Sequence, residues 1–65
     1  MFVFRHANGE YVGIDMSSGG YPYLDESIHR AKWFHSVAEA KEYQRIIKAT
    51  DWTLYEVGIQ LTRVL

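Results

Sequence analysis

The chain contains no cysteine, which excludes disulfides and every thiolate metal site. No charge sign dominates: 7 Lys and Arg against 8 Asp and Glu give a formal charge of −1. The strong basic balance that marks nucleic-acid binders is therefore missing. A near-neutral chain also carries little electrostatic protection against association. No apolar run approaches the roughly 20 residues of a membrane helix. The opening Met1-Phe2-Val3-Phe4-Arg5-His6 does not read as a signal peptide. These absences give the expectation of a cytoplasmic protein with no membrane partner.

What is present is apolar surface. Of 65 residues, 48% are hydrophobic and 15% aromatic. A chain of this length forms one domain, residues 1–65. It buries only about 60% of the surface its unfolded form exposes, and a core of this size rarely supplies more than about 3–5 kcal/mol. So small a body has little interior for that many aromatics, which is a first argument for a partner chain.

The capping pattern Ser36-x-x-Glu39, just ahead of an apolar-periodic run, sets the start of one long helix. In such a box the serine hydroxyl accepts from the Glu39 amide and the carboxylate reaches back to the Ser36 amide. The helix is expected from Val37 to Lys48 or Ala49, burying Ala40, Tyr43, Ile46 and Ile47. Glu39 and Glu42 early, and Arg45 and Lys48 late, suit the helix dipole. Lys41, Arg45 and Lys48 read as a solvated face that could also meet an acidic partner.

Ahead of the helix, Phe2 to His6 reads as a strand. Asn8-Gly9 predicts a two-residue hairpin turn, with Tyr11 to Ile14 as the return strand. That closure pairs His6 with Tyr11, Arg5 with Val12, Phe4 with Gly13 and Val3 with Ile14. One face then holds Phe2, Phe4, His6 and Tyr11, and the other Val3, Arg5, Val12 and Ile14. Phe4 would cover Gly13. Both faces are partly apolar and one helix covers only one of them, a second argument for a partner.

Ser17-Ser18-Gly19-Gly20 reads as a loop. Pro22 confines Tyr21 to Leu24 to an edge segment or ordered loop. Asp25 is the expected N-cap of a single turn reaching Arg30, and Ala31 to Phe34 a short third strand. From Trp52 onward Tyr55, Val57, Ile59 and Leu61 alternate with polar residues, the period of a half-buried strand, with Gly58 as a bulge or bend. Read whole, this strand is unusually long. Its overhang, ending in Arg63-Val64-Leu65, offers an edge to a second subunit, a third argument for a homodimer.

The sequence points to no catalytic or cofactor chemistry. His6, His29 and His35 lack metal-ligand spacing and read as surface or half-buried residues. No serine stands in a Gly-x-Ser-x-Gly elbow, and Asp25-Glu26 reads as a solvated pair. Gly19-Gly20 lacks the phosphate-cradling context of a following helix with Lys-Ser or Lys-Thr. The expectation is a non-enzyme with no catalytic, metal or cofactor residues.

The segment Trp33-Phe34-His35-Ser36-Val37-Ala38-Glu39-Ala40-Lys41-Glu42-Tyr43 resembles the join between sheet and helix in plant ethylene-response DNA-binding domains and integrase arm-binding domains. Those families imply DNA contact through a strongly basic sheet, whereas the first hairpin here offers Arg5 and His6 against Glu10 and Asp15. By layout, the chain is similar to small phage- and prophage-type proteins, which implies an accessory protein acting through a protein partner.

The fold expected is therefore α+β: a three- to four-stranded, mainly antiparallel sheet with one helix on one face, in the order β-β-(β)-α-β. Its core is expected to hold Ala40, Tyr43, Ile47, Val57, Ile59 and the Val3, Val12, Ile14 hairpin face. The function expected is a homodimeric protein-interaction module. Its candidate surface is Phe2, Phe4, Tyr11, Tyr21, Tyr23, Trp33, Trp52, Arg63 and Leu65. The alternative is a weak nucleic-acid binder using an aromatic sheet face.

Overall fold

A computed structural model describes residues 1–58 and 62–65. Four five-residue strands, β1 (Phe2–His6), β2 (Tyr11–Asp15), β3 (Tyr21–Asp25) and β4 (Trp52–Glu56), form an antiparallel sheet in the order β3-β2-β1-β4. A two-residue strand, β5 (Thr62–Arg63), pairs with the outer side of β4. One helix, α1 (Val37–Ile47), lies between β3 and β4 in the chain and packs on one face of the sheet. The α+β class and the β-β-β-α-β order are those the sequence predicts. The edge position of Pro22 follows from its missing N–H.

The first hairpin closes differently from the expected turn. Gly9 N–H donates to His6 O at 2.9 Å and His6 N–H to Glu10 O at 2.7 Å. Gly9 sits at φ 96°. This is the three-residue loop in which a tight turn ends on a left-handed glycine, so Ala7, Asn8 and Gly9 are all loop. The Asn8 side chain stabilises it, accepting from Glu10 N–H at 2.9 Å and donating to the Glu10 carboxylate at 3.0 Å. Arg5 consequently pairs with Tyr11 rather than Val12.

A one-residue shift exchanges the faces of a strand. Val12 and Ile14 join Phe2 and Phe4 beneath the helix, while Tyr11 joins Val3 and Arg5 on the far face. Phe4 is 1% exposed and belongs to the main core with Val12, Phe34, Ala40 and Leu54; Phe2, Ile14, Val37, Tyr43 and Trp52 pack around it. The centre of that core is aromatic. Phe4 meets Phe34 edge-on at 5.6 Å between ring centroids and Trp52 at 5.2 Å, and Tyr43 lies 5.8 Å from Phe34 and 6.1 Å from Trp52. These are favourable ring separations. Many of the aromatics are thus held inside this one chain.

Val3 is fully buried, but on the face away from the helix. That face has its own partial cover. A 3₁₀ turn, Ile28–Arg30, is capped by Ser27, whose hydroxyl accepts from His29 N–H; Asp25, the expected cap, instead accepts from Ser27 N–H at 2.8 Å. The Tyr23 ring lies over Gly13, and its hydroxyl donates to Arg30 O at 3.0 Å. Tyr23, and not Phe4, therefore covers this glycine.

Residues 31–34 do not form a third strand. They enter the sheet at the far end of the β1–β2 pair. Lys32 N–H donates to Val12 O at 3.0 Å, and Phe2 and Phe34 exchange both backbone hydrogen bonds at 2.8 and 2.7 Å. Phe34 points into the core while Trp33 donates its indole N–H to Ile28 O at 3.0 Å.

Helix α1 starts where the sequence places it, with Glu39 N–H donating to the Ser36 hydroxyl at 3.1 Å. It ends at Ile47, with Lys48 left-handed at φ 61°. Ile46, expected inside, is 62% exposed. After β4 the chain bends at Gly58 and returns through β5, so the predicted single long strand is a hairpin. Its overhang, and with it one argument for a homodimer, disappears. The facing is also the reverse of that expected: Trp52 and Leu54 point to the helix, Tyr55 pairs with Val3 on the far face, and Val57 is half-buried beyond the strand. Ile59 and Leu61 lie outside the described residues.

Candidate interaction groove

An apolar concavity of about 500 Å³ lies between α1 and the loop joining β2 to β3. The loop is built from short-range polar contacts. The Asp15 carboxylate accepts from Ser17 N–H at 3.0 Å, the Ser17 hydroxyl at 2.6 Å and the Ser18 hydroxyl at 2.9 Å. These bonds favour the charged carboxylate and hold its pKa below the ordinary aspartate value. Gly19 and Gly20 both take left-handed conformations, φ 83° and 87°, which turn the chain back into β3.

The helix closes the other side. The Tyr43 hydroxyl donates to Gly20 O at 3.0 Å and so latches α1 to the loop. Burial pushes the Tyr43 phenol above its usual pKa. Ile14, Phe34, Tyr43 and Ile47 form the floor, and Met16, at 79% exposed, and Ile46 form two apolar lips. Lys32, Glu39 and Glu42 line the rim. The Lys32 ammonium lies 6.0 Å from the centre of the Phe34 ring. Glu42 is bound along the helix by Arg45, whose Nε donates at 3.1 Å and whose hydrogen bonding, more than its charge, lowers the Glu42 pKa.

The candidate surface drawn from the sequence divides between the two sides of the sheet. Phe4 is core and Phe2 and Trp52 pack against that core, so these three leave the candidate surface. The register slip is the reason for the first two, and the reversed facing of β4 for the third. Tyr11 is half-buried on the far face with the Arg5 guanidinium 5.5 Å from its ring centre. Trp33 is half-buried; Tyr21, Tyr23, Arg63 and Leu65 are exposed. The groove brings none of these together. Met16 and Ile46, its lips, were not candidates: Met16 sits in a polar loop, and Ile46 fits the apolar period of the helix as well as any core residue. The sequence carried no signal for either, since Ala40, Tyr43, Ile46 and Ile47 make an ordinary core-facing stripe on an 11-residue helix.

The basic row on the outer helix face lines a separate, open concavity of about 490 Å³. Arg45 there is already paired with Glu42. Among the described residues, no three His, Asp or Glu side chains stand close enough to hold a metal ion. No helix among them is long and apolar enough to cross a membrane. No family model matches the chain, and neither a curated protein nor a solved structure matches it.

Proposed function

We propose that the chain is a non-enzymatic interaction module that self-associates through the groove between α1 and the β2–β3 loop. The observation that carries this reading is the pair of exposed apolar lips, Met16 and Ile46, over an apolar floor. Exposed apolar surface rimmed by polar groups marks interaction sites. The sheet edges offer less: β3 carries Pro22 and β5 is two residues long, both features that blunt edge-to-edge pairing.

A second copy is the occupant the rim charges favour. A two-fold interface sets each patch against itself, so Lys32 of one copy meets Glu39 of the other while the two pairs of lips pack together. The groove side chains also argue against catalysis. Among the described residues, the polar groups facing it are Lys32, Glu39, Glu42 and a Tyr43 hydroxyl already donating to Gly20 O, with no nucleophile activated by an adjacent base. The more particular role, a phage- or prophage-type accessory protein, rests on resemblance of layout alone.

Light scattering across a wide concentration range tests the reading. The expected result is a mass that doubles with concentration and falls only modestly with salt, because the rim ion pairs are exposed and the lips are apolar. Ile46→Lys should hold the chain monomeric without loss of stability, because Ile46 is largely exposed in the single chain. A parent chain that stays monomeric at every concentration refutes self-association.

A further inference from the structure

On the opposite side of the sheet, we propose that the hollow between the first hairpin loop and β4 binds single-stranded nucleic acid, seating one nucleotide at a time. The strand registers make the case. Arg5 pairs with Tyr11 on one side and Thr53 on the other; Val3 pairs with Tyr55, and Tyr55 with Arg63. Alternation along strands puts all of these on the face away from the helix. Two phenol rings and two guanidinium groups therefore adjoin on one flat surface.

Of the acids on that face, Asp25 stands directly opposite Tyr11, and both it and Asp15 are engaged. Asp15 accepts from Ser17 and Ser18, and Asp25 from Ser27 with Arg30 at 3.6 Å. Arg5 is held in place: its Nε donates to Gly9 O at 2.9 Å and its Cζ stands 5.5 Å from the Tyr11 ring centre. Among the described residues, no carboxylate pairs with Arg5. Its terminal nitrogens make no hydrogen bond or ion pair among the described residues, and a guanidinium fork matches phosphate oxygens.

Arg5, Thr53 and Tyr55 line a polar hollow of about 310 Å³ beside the loop. That is the lower end of the range for small-molecule sites, about 300–1,000 Å³, so it suits one nucleotide unit and not a folded domain. A base stacks on the Tyr55 ring, the neighbouring phosphate meets Arg5 or Arg63, and Thr53 supplies a hydroxyl for a base edge. Stacking on an aromatic ring tolerates any base but needs an unpaired one, which selects a single strand over a duplex. An acidic peptide would use the arginines and leave the tyrosines idle.

The experiment is a fluorescence anisotropy titration of the full chain with labelled oligothymidylate. Thymidine monophosphate, a duplex of equal length and polyglutamate serve as competitors. Oligothymidylate is expected to bind saturably, with log K falling against log salt at a slope of about −1.4 for two phosphates neutralised. Tyr55→Ala should weaken binding about tenfold or more, while Tyr55→Phe keeps it. Arg5→Gln should reduce the slope by about 0.7. Ile46→Lys, on the other side of the sheet, should bind like the parent. Absence of saturable binding overturns the proposal, as does binding unchanged by Tyr55→Ala in a variant that retains its circular dichroism. Competition by polyglutamate or duplex equal to that of the unlabelled strand identifies a plain anion surface and also overturns it. Equal affinity for the monophosphate removes the strand as ligand.

Discussion

The two faces of this sheet use the same residue classes to opposite ends. Under the helix, Phe4, Phe34, Tyr43 and Trp52 form a chain of ring contacts, with Phe4 and Phe34 buried and Tyr43 and Trp52 half-buried. On the far face Tyr11 and Tyr55 stay half-buried beside Arg5 and Arg63, while Val3 and Gly13 are sealed. Aromatic content alone thus says nothing about core or binding. What separates the two sets is whether a ring has other rings as neighbours.

The largest expected contrast between the faces is in stability. Phe4→Ala should cost about 3–5 kcal/mol, comparable to the whole stability of a domain this size. In urea denaturation the variant should be largely unfolded without denaturant. Tyr11→Ala should cost well under half as much; equal losses would mean the far face is as much a core as the near one.

Gly13 tests the partial cover of the far face. A Cβ there would stand 2.4 Å from Cζ of Tyr23 and 2.8 Å from Arg30 O. Gly13→Ala should destabilise by about 1–3 kcal/mol. Combining it with Tyr23→Ala should recover part of that loss and no more, since the backbone carbonyl remains. Full recovery would show that the 3₁₀ turn yields.

Smaller effects lie at the helix ends and the loop. Ser36→Ala removes the cap of α1 and should cost about 1 kcal/mol. Lys48→Gly relieves a left-handed residue, and after the added freedom of the unfolded chain should gain about 0.5 kcal/mol. The smallest effect is electrostatic. The folded-state pKa of Asp15 is depressed, so its contribution is present above the unfolded value and is lost as pH falls through the folded one. In the parent chain, carboxyl NMR should show Asp15 titrating below 3.8, its ordinary value. Replacing both Ser17 and Ser18 with Ala should move it back towards that value.

The helix and the general order of elements were legible because local chemistry fixes them. Ser36 can cap only a helix that begins directly after it, and Pro22 can sit only where no donor is needed. The far longer reach of a one-residue register was not legible. Asn8-Gly9 serves a two-residue turn or the end of a three-residue one, and the choice between them moved Phe4 from candidate surface to core. The last segment failed for a related reason. Tyr55, Val57, Ile59 and Leu61 alternate well enough for one strand, but a bend at Gly58 separates two. Alternation reports a face without saying which body covers it. Periodicity therefore did not mark Met16 and Ile46 as the lips of a groove.

Strand β1 occupies the middle of the sheet. Phe2 exchanges its hydrogen bonds with Phe34 on one side and pairs with Glu56 on the other, and Val57 N–H donates to Met1 O at 2.8 Å. As the chain leaves the ribosome, β1 emerges ahead of every neighbour it needs. The hairpin with β2 can close early, yet most of the pairing positions of β1 wait for β4 to be synthesised. Loop closure over that span is paid before its contacts form, which favours slow acquisition of structure. During that interval Phe2, Val3 and Phe4 form an unguarded apolar strand, the stage of this protein's life most exposed to chaperones and to neighbouring copies of itself.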